Sequence, residues 1–257
     1  MNSFAKKVVD AELGTTHLFS VGQAGFIIKS KSGQLLGIDL YLSECVERAE
    51  GHMGFKRLLP QILSAGELKF DYIIATHPHF DHYDQDAIPE LVRDDNTSLF
   101  VSKDCQQFIS DAEIDENKVS YVKPGDIYNN GDFTLVFINC DHGTGAPDAV
   151  GVIVGVDNMR ILEVGDSCLR LDRVDEYLKL GTLDVMIAPI NGAYGNLNER
   201  ECAILSDALK PDITIPCHYG MFASHGGNPG VFMEIMNKEY PNNKYLLMAQ
   251  GERVVLN

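Results

Sequence analysis

Tryptophan is missing from this 257-residue chain, so twelve Phe and ten Tyr supply its large aromatic anchors. Basic residues are scarce: Lys and Arg total 21 against 37 Asp and Glu, a net charge of −16. A surplus of that sign repels nucleic-acid phosphates and anionic membrane surfaces, so neither is an expected partner. Long hydrophobic runs are also lacking. The longest uncharged apolar stretch, Ala149 to Val156, falls far short of the roughly 20 residues that span a bilayer. Behind Lys6 and Lys7 stands no apolar segment of the secretory-signal kind. The six cysteines are scattered singly with no C-x-x-C pair, which reads as reduced, buried thiols and makes a cytoplasmic protein the expectation. No G-x-G-x-x-G or P-loop pattern follows any strand, so the usual dinucleotide and nucleoside-triphosphate fingerprints are excluded.

What is present is an ordinary globular composition, 45% hydrophobic and 23% charged, with no linker or low-complexity tract to divide residues 1–257. Short β-rich runs at 17–21, 26–29 and 35–39 open the chain. A helix over 56–64, a buried strand at 72–76, a polar helix over 85–92, a strand at 98–101 and a helix over 103–111 follow. The second half repeats the pattern, with strands at 133–139, 150–156, 160–164, 185–189 and 213–216. Asp157-Asn158 reads as a hairpin turn. Asn198 is an N-cap for a helix to Leu209, with Glu201 completing a capping box. A helix over 230–238 precedes strands at 244–248 and 253–256. Two batches of strands, each followed by helices, predict two sheets face to face with helices outside.

The chemistry concentrates in Thr76-His-Pro-His-Phe-Asp-His82, at the end of the 72–76 strand. In extended chain, residues two apart share a side, so His77 and His79 can reach one metal ion. Pro78 keeps His77 out of the helical region. Past Phe80 the chain should turn, leaving Asp81 and His82 for a second ion. Four positions cannot complete two coordination shells, so further ligands are needed. His142, Asp166 and His218 stand at comparable strand ends, although the histidines also suit satisfied loops and Asp166 a turn cap.

The H-x-H-x-D-H run, with later His, Gly-Asp and His at strand ends, resembles the metallo-β-lactamase superfamily. Within it the chain is similar to the L-ascorbate-6-phosphate lactonase-like branch, through Val21-Gly-Gln-Ala-Gly-Phe26, Ile38-Asp-Leu-Tyr-Leu-Ser43, Gly165-Asp166, Pro189-Ile-Asn-Gly192, Gly195-Asn196 and Ile215-Pro-Cys-His-Tyr219. Leu40 and Ser167 depart from it, standing where many relatives have Pro and Thr. The resemblance implies an αββα sandwich with two divalent ions at one edge. His77, His79 and His142 would bind the first ion, Asp81, His82 and His218 the second, and Asp166 would bridge them. Five histidines favour zinc or iron, while the carboxylates and the lactonase likeness favour manganese. A homo-oligomer is a further expectation from the resemblance.

Such a centre lowers the pKa of bound water from 15.7 toward about 7. The implied activity is hydroxide attack on a small anionic or sugar-derived lactone or ester, with Asp81 relaying a proton to the leaving alkoxide. A phosphodiesterase on the same scaffold is the alternative. A redox di-iron protein fits less well, because that branch usually carries Glu where His79 stands, and a non-catalytic metal-binding protein is the remaining reading. Gln23, Asn191 and Tyr219 are candidates for substrate contacts, and Arg57 for gripping a phosphate. Asp39 is a candidate for orienting a ligand histidine, and His225 for a loop over the pocket.

Overall fold

Most strands are buried along nearly their whole length, because alternate residues enter core layers on opposite faces of the sheet. The computed structural model describes residues 1–256. The first sheet is formed by β1 (Thr16–Gly22), β2 (Gly25–Lys29), β3 (Leu35–Ile38), β4 (Tyr72–Ala75), β5 (Ser98–Ser102), β6 (Val119–Val122) and, later in the chain, the strand Arg253–Leu256. The second contains β7 (Ile127–Asn130), β8 (Phe133–Asn139), β9 (Val150–Val156), β10 (Met159–Glu163), β11 (Val185–Pro189) and β12 (Ile213–Cys217). With Arg253–Leu256 as β13, the orders are β13-β1-β2-β3-β4-β5-β6 and β12-β11-β10-β9-β8-β7.

Neighbouring residues point to opposite faces, and the core divides accordingly. Leu18, Ile28, Ile74 and Phe100 meet Phe133, Leu135, Val152 and Ile187 between the sheets. Their sequence neighbours Phe19, Ile27, Ile73 and Leu99 face outward. There they pack against α1 (Ser3–Val9), α3 (Ile88–Leu91) and α4 (Gln106–Asp111), while α2 (Cys45–Glu50) contributes to a smaller cluster with Tyr41 and Phe222. On the far side, Ile153, Leu162 and Met186 pack under α5 (Val174–Tyr177), α6 (Glu199–Leu209) and α7 (Pro229–Glu239). The result is the expected four-layer αββα sandwich. Among the described residues no helix is long and apolar enough to cross a membrane.

Most expected elements are present, and the differences have local causes. The expected helix over 56–64 is irregular chain. Leu58 N donates to Met221 O and Ala223 N donates to Lys56 O, so this backbone pairs laterally, and Pro60 cannot donate within a helix. The expected strand over 244–248 shrinks to one bridge, Thr214 with Tyr245. Pro216 lacks the N–H that would continue the ladder along β12. The polar helix shortens to α3, because Asp84 accepts from Asp86 N and Ala87 N and Pro89 lies in the first turn. Helices α1, α2 and α5 and strands β6 and β7 were not anticipated. Cys45, Cys105, Cys140, Cys202 and Cys217 are buried free thiols, and Cys168 is half-buried.

Candidate metal centre

Strands β3, β4, β5 and β6 run parallel, as do β10, β11 and β12, so their carboxyl ends gather along one edge. That edge is where open α/β sheets place ligands. The first sheet delivers His77, His79, Asp81 and His82 after β4. The second delivers His142 after β8, Asp166 after β10 and His218 after β12. Thr76 O accepts from Val150 N, tying the two sheets at this edge.

Local chemistry sets each side chain. The His79 carbonyl accepts from both His82 N and Tyr83 N, a turn that brings Asp81 and His82 back toward His77. Asp39 is fully buried and receives Thr76 N on Oδ1 and Thr76 Oγ1 on Oδ2. Its Oδ2 also lies 2.7 Å from His82 Nδ1, which aims Nε2 inward. Before Asp166 the chain turns at Gly165 (φ 67°), where a Cβ would lie 3.0 Å from Cys140 Sγ and 3.1 Å from Val150 O. His218 holds φ 63° and donates its N–H to the Gln23 carbonyl, itself on a residue at φ 56°. Non-glycine residues in this region are strained and concentrate at functional sites.

The seven side chains converge in three overlapping groups whose ligand atoms lie within 4.8 Å of one another: His77, His79 and His142; His77, His82 and Asp166; Asp81, His82 and His218. His79 Nδ1 is 3.0 Å from His77 Nε2 and 2.9 Å from His142 Nε2. One ring nitrogen has a single proton or lone pair in its plane and cannot satisfy both neighbours. Asp166 reaches both sides, with Oδ1 3.2 Å from His218 Nε2 and Oδ2 3.4 Å from His82 Nε2. Crowded lone pairs with a central carboxylate fit divalent cations better than a hydrogen-bond network. Burial would raise the carboxyls of Asp81 and Asp166, but His82 and His218 hold both well below the usual range. Burial lowers His142 to about 4, leaving its ring neutral at pH 7. Against the effect of burial, the Asp166 carboxylate beside His218 raises that imidazole to about 9, so an ion bound there would release a proton.

The other sequence candidates divide. Gln23 belongs to the cluster: its Nε2 donates to Asp81 Oδ2 at 2.8 Å and lies 2.9 Å from His225 Nδ1. Arg57, Tyr219 and Asn191 do not line the adjoining cavity. Arg57 donates to the carbonyls of Leu59 and Ser43 and lies over the Tyr41 ring. Tyr219 OH donates to Met248 O, and Asn191 Oδ1 accepts from Asn196 Nδ2. His225 is 4% exposed, its ring 4.4 Å from that of His218. It lines a cavity of about 910 Å³ with His79, Asp81, His142 and Asp166. His225 was expected on a loop over the pocket and lines it, whereas the walls contributed by Phe55, Phe108 and Tyr194 were not expected. No spacing rule links those positions to the ligand run.

An αββα sandwich with a His/Asp cluster where the two sheets meet defines a class of metallo-proteins. The beta-lactamase superfamily domain matches residues 17–218, and the chain belongs to that superfamily. Among curated relatives, it is 26% identical over 234 residues to a UPF0173 metal-dependent hydrolase of Anaeromyxobacter dehalogenans, covering 85% of this chain and 80% of that protein. It is 27% identical over 219 residues to a UPF0173 protein of Pyrococcus abyssi, covering 84% and 89%. Among solved structures, Igni18, a metallo hydrolase of Ignicoccus hospitalis, superposes with a TM-score of 0.74 at 20% identity, covering 95% of this chain and 99% of that one.

Proposed function

We propose that this protein is a metal-dependent hydrolase that holds two divalent ions and cleaves a small lactone or ester. The observation that carries the reading is the set of three overlapping donor groups, sharing His77 and His82, beside a cavity large enough for a small molecule. The curated relatives named as metal-dependent hydrolases support it. His77, His79 and His142 would hold one ion and Asp81, His82 and His218 the other, with Asp166 between them. Divalent ions there would polarise the scissile carbonyl and lower the pKa of water toward about 7. Asp39 fixes the His82 ring and Gln23 donates to the Asp81 carboxylate; Asp81 would relay the proton released by the attacking water to the leaving alkoxide. The phenyl rings of Phe55, Phe80 and Phe108 line the cavity beside the cluster.

Elemental analysis joined to a substrate panel tests this. Purified protein should carry close to two divalent ions per chain, both lost in His77→Ala. Native protein free of metal would overturn the site, and turnover of bis-aryl phosphate diesters alone, with no lactone or ester cleaved, would overturn the reaction.

A further inference from the structure

The cavity walls speak to the substrate, on the reading that the cluster beside them is the reacting centre. Away from the metal cluster, two aromatic pairs face the space. Phe80 and Phe108 have ring centroids 5.7 Å apart, and Phe55 and Tyr194 6.0 Å apart. The acidic side chains joining them are Glu50 and Asp104, both half-buried. One Asp104 oxygen accepts from Asp148 N, and the other faces no cationic partner among the described residues. Neither Lys nor Arg lines the cavity. Arg57, the phosphate-gripping candidate, has its guanidinium engaged by backbone carbonyls and Tyr41.

The charge balance follows. Two divalent ions would bring +4, and Asp81, Asp166, Glu50 and Asp104 together bring −4. The cavity therefore offers no surplus positive charge to a second anionic group, and the −16 of the chain repels such a group at longer range. Burying a phosphate beside carboxylates that lack a cationic partner is unfavourable. Aromatic faces instead favour apolar bodies, and next to carboxylates they favour organic cations.

We infer that the cavity of this hydrolase selects an aromatic- or alkyl-bodied lactone or ester that is uncharged or carries an amino group, and selects against phosphorylated substrates. This replaces the anionic substrate that the family resemblance implied with one set by this chain's own walls.

Calorimetry on zinc-loaded protein tests the inference with three probes of one shape: benzyltrimethylammonium, benzyl alcohol and benzyl phosphate. Comparing native protein with Glu50→Gln/Asp104→Asn cancels any direct attraction of phosphate to the ions. In the double variant the ammonium should bind about tenfold more weakly, the alcohol equally well and the phosphate more tightly. Equal ratios for all three probes would overturn the inference. In native protein, raising salt from about 50 to about 500 mM should weaken the ammonium and spare the alcohol; an ammonium affinity indifferent to salt would also overturn it. Should the charge order hold while no lactone or ester is cleaved, the charge selectivity of the cavity stands and the hydrolase reading fails alone.

Discussion

Asp39 shows how much of the centre depends on one residue outside the ligand set. It holds the backbone and hydroxyl of Thr76 and the Nδ1 face of His82, from a left-handed conformation (φ 47°). Asp39→Asn loses the charge that fixes the His82 tautomer, and such losses typically weaken metal binding 10–100-fold. Competition with a chromogenic chelator measures this, and unchanged affinity would refute the orienting role. Glu163 is a second buried carboxyl. Burial, followed by the field of Asp39, raises it well above its ordinary value, so the folded state favours its neutral form. The sign follows from linkage. Its contribution is complete below the unfolded pKa and is lost as pH rises through the folded one. Glu163→Gln keeps an acceptor for Gly165 N and removes the ionisation. The melting temperature of the metal-free variant should therefore gain on that of native protein as pH increases from 5 to 9. A gap that stays constant with pH would contradict this.

At the scale of elements, legibility in the sequence tracked the locality of the cause. Strands β8, β9 and β11 fall where alternation and β-branched residues place them, and Asp157-Asn158 adopts the positive φ values of a tight hairpin turn. Helix α6 starts at the expected capping box, with Asn198 Oδ1 accepting from Glu201 N and Glu201 Oε2 from Asn198 N. The segments 56–64 and 244–248 differ because their backbone partners lie on strands or loops distant in sequence, which no local pattern encodes. The donor cluster was legible for the same local reason, since strand ends carry it. The cavity walls Phe55, Phe108 and Tyr194 come from helix α4 and two separate loops and were not. Two substitutions test this level. Asn198→Ala should cost about 1 kcal/mol by loss of the cap, read as a shift in the denaturation midpoint. Gly151→Ala should cost about 1–3 kcal/mol, because its Cβ would lie 2.9 Å from Glu163 O and 3.0 Å from Val164 O on the neighbouring strand.

For the whole molecule, candidate donors drawn from both sheets would make ion binding and folding one equilibrium. An ion at a hundred times its dissociation constant stabilises by about 2.7 kcal/mol. At roughly 2–4 °C per kcal/mol for a chain near this size, stripping it with EDTA should lower the melting temperature by about 5–10 °C. An unchanged melt would separate the cluster from the fold's stability. The pairing of β13 with β1, Thr16 opposite Leu256, carries a further consequence. During synthesis, the outer edge of β1 stays uncovered until almost all of this sequence has left the ribosome. An open strand edge is a template for pairing between chains. Nascent chains stopped before Arg253 should therefore associate with one another, seen as sedimenting material, whereas the same chains carrying β13 should not. The first sheet begun is the last to be sealed.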